Sequence, residues 1–228
     1  MLPDTNSTSL VGPVEFIELT ETDLKRSNDL KFPYRSILNE TIRNTFFHVA
    51  LWMAMFVLYL IALYHAIQYL RTGKREHDWW SVSFNRSGIL YGILGLLTGS
   101  LWARYTWGWW TNDVKLNMAA LAMFIYFGYL LLRSSFNDEE KKARVSAAFN
   151  IFAFVALIPL VFVIPRLTDS LHPGNGGNPA LGGEDLDHTL RLVFYPSIIA
   201  LILLGTWMAQ LRFRIIRLAA RKKIHIEA

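Results

Sequence analysis

Residues 46–70 read FFHVALWMAMFVLYLIALYHAIQYL, twenty-five positions without a Lys, Arg, Asp or Glu. A helix crosses the roughly 30 Å of a bilayer's hydrocarbon with about 17–25 mainly apolar residues, so this run is long enough to span. Four more runs follow, at residues 88–103, 116–132, 145–164 and 192–211, and none carries an acid or base in its interior. That exclusion is expected where a charge at mid-membrane costs roughly 2.5–3.5 kcal/mol on insertion scales. The 228-residue chain is 53% hydrophobic and 14% aromatic. This is too apolar for an ordinary soluble domain, and the sequence predicts an all-α integral membrane protein, a bundle of five spans. The run at 88–103 is the shortest, about 24 Å of helix. To cross it must extend into its flanks and hold Arg86 or Arg104 at an interface by snorkelling.

The net charge of +5 is distributed unevenly. Fourteen Lys and Arg lie in the connection after the first span, the connection after the third and the C-terminal tail, against four in the other two connections. In a membrane protein such an excess is a topology signal before it is a nucleic-acid signal. By the positive-inside rule the basic connections and the tail are cytoplasmic, while loops 102–115 and 165–191 face out. Parity places the N-terminal arm outside as well. No basic stretch followed by an apolar one opens the chain as a signal peptide would, so the parity reading expects a further span upstream. The predicted organisation is a polar arm over 1–45, a transmembrane domain over 46–215 and a basic cytoplasmic tail over 216–228. Within the arm, residues 11–19 alternate loosely enough to suggest a short strand, interrupted by Gly12 and Pro13. There are no cysteines, which removes disulfides, thiolate haem ligation and CxxC redox chemistry.

The outer loop at 102–113, WARYTWGWWTND, carries four of the eight tryptophans within nine residues. Outer tryptophans commonly anchor helices at the headgroup level, but a belt spreads around a protein, whereas here the density falls in one loop. Two histidines share that side: His48 at the start of the first span and His172 in SLHPGNGGNP. Two neutral imidazoles can supply both axial positions of an iron porphyrin while indoles pack on the macrocycle and exclude water. Arg43 and Lys115 lie where they could pair with propionates. Asp113 stands just before the third span and is equally readable as its N-cap.

The other positions have plainer readings. His65 reads as packing or a helix–helix hydrogen bond. His188 belongs to a polar turn entering the last span, and Asn137 or Asp138 caps the fourth helix. Gly88, Gly92, Gly95 and Gly99 share one helical face, as for close approach of a neighbouring helix; a porphyrin edge is the minority reading.

The segments ETIRNTFFHVALW around His48, GSLWARYTWGWWTNDVKLN and SLHPGNGGNP together resemble the haem-handling proteins of cytochrome c maturation, the CcmC type within the group that includes CcsA and CcmF. The resemblance covers roughly residues 36–215. It implies a tryptophan-rich WWD surface at Trp102, Trp107, Trp109, Trp110 and Asp113, axial ligands at His48 and His172, and propionate partners at Arg43 and Lys115. It further implies oxidised haem b held at the periplasmic face of the bacterial inner membrane and presented to the chaperone CcmE, with CcmA, CcmB and CcmD as partner subunits. Six spans are usual in that group. Two departures are visible. The loop is one residue shorter between Gly108 and the paired tryptophans than the common WGxWWxWD, with Asn112 before the aspartate, and Ala50 replaces a usual proline. No residue pattern marks a general acid, base or nucleophile, which favours a haem-binding assembly factor over an independent enzyme. The rival readings are a haem-free permease-type subunit of a membrane transporter and a b-type cytochrome subunit.

Overall fold

The computed structural model describes residues 36–108, 112–171 and 188–227. The strand expected at residues 11–19 lies outside them. Five long helices run in order: α1 (Ser36–Thr72), α2 (Arg75–Trp107), α3 (Val114–Ser134), α4 (Glu139–Ile158) and α5 (His188–Glu227). Among the described residues there is no strand. The helices over Arg43–Thr72, Val114–Ser134, Glu139–Arg166 and His188–Lys222 are long and apolar enough to cross a membrane. The chain is thus an all-α, multi-pass membrane protein.

The helix α2 differs from its apolar run. It has thirty-three residues, about 50 Å at 1.5 Å per residue, and runs well past 88–103 at both ends. Arg86, expected in a connection, lies inside this helix. The connection from α1 is only Gly73 and Lys74, with Gly73 at φ 67° closing the turn in the left-handed region that glycine enters without steric cost. Polarity in the first half of α2 is tolerated because it faces protein. Asp78, Ser81, Ser83, Asn85 and Ser87 are all buried.

The axis of the bundle is the α1–α2 pair. In lipid, apolar surface alone does not drive helices together, so close packing and hydrogen bonds must. The glycine face of α2 supplies the closeness. A Cβ at Gly88 would lie 2.5 Å from the Tyr59 ring, and one at Gly95 would lie 2.9 Å from Trp52 Nε1. The stripe is therefore filled by side chains of neighbouring helices, those of α1 and, at Gly92, Met123 of α3, as the helix-packing reading expected. Polar ties add to this. Ser81 donates to the Ala62 carbonyl at 3.1 Å, and Tyr91 donates to the Leu201 carbonyl of α5 at 2.9 Å. His65 and His77 bring their Nδ1 atoms to 3.0 Å, the helix–helix contact predicted for His65. The same Tyr59 ring stacks on Tyr126 of α3 with ring centroids 3.7 Å apart.

The apolar window of α1 is 44% buried within the bundle and that of α5 only 17%, so α1 is central and α5 lies at the margin. At the end where α1 finishes, Arg133 of α3 makes two 2.7 Å bonds to the buried Asp78. Asp138 caps α4 by accepting from the Lys141 amide at 2.7 Å, one of the two caps expected.

Candidate functional site

The opposite end gathers the first turns of α1, the last of α2, the N-termini of α3 and α5, and the chain leaving α4. The predicted site residues distribute over these elements, and the bundle draws several of them together.

His48 lies within α1, three turns from its start, and its half-buried ring faces α2. A Cβ at Gly99 would come within 2.5 Å of His48 Cε1. Only a glycine there lets the imidazole lie this close along α2. His48 Nδ1 is 2.9 Å from the Gly95 carbonyl and 3.2 Å from Thr98 Oγ1. A carbonyl can only accept, so Nδ1 carries the proton and donates. The Thr98 hydroxyl proton is committed to the Leu94 carbonyl at 2.8 Å, which makes its oxygen a second acceptor for the same N–H. In the neutral ring the lone pair is then on Nε2. A second-shell carbonyl that fixes the tautomer and aims the other nitrogen is the usual arrangement behind a metal-ligating histidine.

Trp102 follows Gly95 and Gly99 by seven and three residues, so it continues the same face of α2 just beyond His48. It meets Trp107 edge to face, with centroids 5.7 Å apart and planes at 70°. Helix α2 ends at Gly108, whose φ of 78° is the left-handed C-cap conformation, and Arg104 donates to the Gly108 carbonyl. The loop departs from that turn. Trp109 and Trp110 lie outside the described residues.

Asp113 re-enters the described chain as the N-cap of α3 and accepts from the Lys115 amide at 2.8 Å. The capping reading therefore holds, but the carboxylate does more. Its second oxygen accepts from the Ser170 hydroxyl at 2.8 Å and from the Leu171 amide at 3.0 Å, and the residue is 4% exposed. Three donors on one buried carboxylate make a charge-assisted clamp. It ties the tryptophan loop to the segment leaving α4, a link carried by Ser170, which the sequence reading did not single out.

The exit of α4 explains how that segment arrives. Pro159 and Pro165 each lack an N–H, and the helix passes from α into a π turn over Pro159–Val163 and a 3-10 turn over Ile164–Arg166. His172 itself is outside the described residues; its covalent neighbour Leu171 is held by Asp113.

Lys115 is the second residue of α3 and half-buried, near this clamp. Arg43 is exposed on α1, five residues ahead of His48. At 100° per residue that spacing puts the two on different faces of the helix. His188 is exposed at the first position of α5. Helix α5 closes this end through Phe194, which is fully buried and whose ring centroid is 6.4 Å from that of Phe46. Among the described residues no group of three or more His, Asp or Glu could hold a bare metal ion. The donor set is instead one oriented imidazole beside an aromatic wall, which fits a porphyrin better than a naked ion.

The family model described as haem exporter protein C, CcmC, matches residues 33–226. The chain is 27% identical over 128 residues to the haem exporter protein C of Haemophilus influenzae, covering 56% of this chain and 51% of that one. To the protein of the same name from Bradyrhizobium diazoefficiens it is 28% identical over 192 residues, covering 79% and 69% respectively. To the cytochrome c biogenesis protein CcsA of Pelargonium hortorum it is 31% identical over 86 residues, 37% of this chain and 27% of that one. The chain spans about half the length of the Haemophilus and Escherichia relatives it matches.

Proposed function

This chain belongs to the haem exporter protein C (CcmC) family, and we propose that it is a cytochrome c biogenesis factor that binds haem b and presents it for covalent attachment to a CcmE-type haem chaperone. The haem lies at the periplasmic face of a bacterial inner membrane, between the tryptophan loop, His48 and His172. CcmA-, CcmB- and CcmD-type subunits complete the assembly. The face follows from the positive-inside count; the chaperone and subunits follow from the resemblance.

The observation that carries the reading is the orientation of His48. With Nδ1–H directed at the Gly95 carbonyl, its Nε2 is the ligating nitrogen, and the ring is braced by Gly99 so that it cannot swing back into α2. On the other side Asp113 fixes the backbone at Leu171. His172, the second proposed ligand, is the next residue in the chain. Trp102 and Trp107 supply flat apolar surface that lowers water access to the iron, while Lys115 and Arg43 are the cations for the propionates. When bound, the haem supplies the iron centre and the vinyl groups; the chain's residues hold it and orient it.

A b-type cytochrome would need two histidines flanking an iron within the hydrocarbon. Of the described histidines, His65 is the one deep in a span, and its Nδ1 is 3.0 Å from that of His77. An iron porphyrin does not fit between them.

The test is an absorption spectrum of the purified protein in detergent from haem-sufficient cells. A Soret band with a low-spin bis-imidazole signature, weakened in both His48→Ala and His172→Ala, supports the reading. A colourless protein, or unchanged haem in both variants, overturns it.

A further inference from the structure

At the end of the bundle opposite the tryptophan loop there is a cavity of about 320 Å³. Its floor is α2, and its walls are the end of α3 with the start of α4 on one side and α5 on the other. Four of its lining residues are cations, Arg86, Arg133, Lys142 and Arg212, against one acid, Glu139. Trp79 and Leu130 are among the apolar lining.

The charges are not equally committed. Arg133 is locked by its two bonds to Asp78, and Lys142 donates to Glu139 at 2.6 Å. Arg86 makes no hydrogen bond or ion pair with any described residue. The Nε of Arg212 is buried without a hydrogen-bond partner among the described residues. A buried guanidinium N–H that nothing accepts is costly, and here Arg212 carries one while the exposed Arg86 lines the same cavity, at the level where the apolar runs of α2 and α5 end. An acceptor with several anionic oxygens would satisfy both.

The depth selects its source. Arg86 stands two residues before the apolar run at 88–103, and Arg212 one residue after the run at 192–211, so the cavity opens at the headgroup layer. Leu131 on α3, 69% exposed, and Ile215 on α5, 66% exposed, offer apolar surface beside it for acyl chains. Basic pockets between helices on the positively charged side of a membrane protein suit anionic phospholipid headgroups. We infer that this cavity binds the phosphate of an anionic phospholipid, with Arg86 and Arg212 as its principal contacts, Arg133 as a fixed electrostatic wall and Trp79 at the interface. The bound lipid would also fill the space between α5 and α3, whose described backbones do not approach each other closely.

Native mass spectrometry of the full chain in a non-ionic detergent tests this, with phosphatidylglycerol, phosphatidylcholine and inorganic phosphate as probes. Phosphatidylglycerol should bind more tightly than phosphatidylcholine, and R86Q/R212Q should weaken it about 30-fold, the combined effect of two cations near a headgroup. R86K/R212K keeps the charge and should retain most of the affinity. Glu139→Gln removes the acid in the lining and should tighten binding, a gain that misfolding cannot produce. Equal affinity for both lipids, wild-type affinity in R86Q/R212Q, or a loss in R86K/R212K as large as in R86Q/R212Q would overturn the proposal. Displacement of the lipid by inorganic phosphate at equal concentration would make this a free-anion site and overturn it too.

Discussion

Asp113 and Leu171 are joined across fifty-eight residues of chain by a 3.0 Å hydrogen bond from the Leu171 amide to Asp113 Oδ2. The same oxygen accepts from Ser170 Oγ, and the other accepts from the Lys115 amide. The aspartate that ends the tryptophan motif is thus a buried clamp between two segments distant in sequence, and on the proposed reading it acts on haem through the backbone next to His172.

Asp113→Ala should lower haem retention without removing a ligand. A hydrogen bond to a charged group is worth about 1.5–3 kcal/mol, so retention should fall about tenfold or more, with Ser170→Ala milder. Haem titration of the purified variants, followed in the Soret region, checks the order wild type, Ser170→Ala, Asp113→Ala. Asp113→Ala with unaltered haem affinity would show that the clamp does not position the site.

Gly99→Ala tests the bracing of His48. The added Cβ would lie 2.5 Å from Cε1 and 3.1 Å from Nδ1, so the ring must move or the helices must part. Overpacking of this kind costs about 1–3 kcal/mol. The outcome expected is a partial change from the low-spin spectrum together with a lower thermal midpoint in detergent.

The glycine stripe should separate from ordinary helical glycines. At Gly88 a Cβ meets the Tyr59 ring at 2.5 Å, whereas at Gly128 the nearest atom is Phe149 Cζ at 3.6 Å. Gly88→Ala should destabilise the α1–α2 pair by about 1–3 kcal/mol. Gly128→Ala should be neutral or stabilising by roughly 0.5–1 kcal/mol, because alanine is the better helix former. Thermal melts of the two variants in one detergent decide it.

Most of the helical framework was legible because charge exclusion over a span's length leaves few alternatives. The apolar run at 88–103 understated its helix, since a helix shielded by α1, α3 and α5 need not be apolar to satisfy lipid. Its buried Asp78 is matched by Arg133, fifty-five residues away, and nothing local in either segment announces the pairing. The candidate site could be proposed from its residue types: a histidine in the first span, a glycine face and a tryptophan cluster. The bond from His48 to the Gly95 carbonyl was not, because it depends on helix register. The clamp at Ser170 was equally hidden, because serine in a loop carries no signal of its distant acceptor.

The Asp78–Arg133 pair yields a stability prediction independent of haem. Removing one partner of a buried ion pair costs about 3–5 kcal/mol, mostly from the charge left unpaired. Asp78→Asn should therefore lower the thermal midpoint markedly, and Asp78→Leu with Arg133→Leu should recover much of the loss. A double variant no better than Asp78→Asn would mean that the pair contributes more than mutual neutralisation.

The most direct test of the central claim is the spectrum of His48→Ala beside that of the wild type, each purified from haem-sufficient cells. The oriented Nε2 predicts a wild-type low-spin Soret band. In His48→Ala that band should be strongly diminished, and added imidazole should partly restore the low-spin form by supplying the missing ligand. A His48→Ala protein with full haem content and an unchanged low-spin spectrum would contradict the assignment of His48 as an axial ligand.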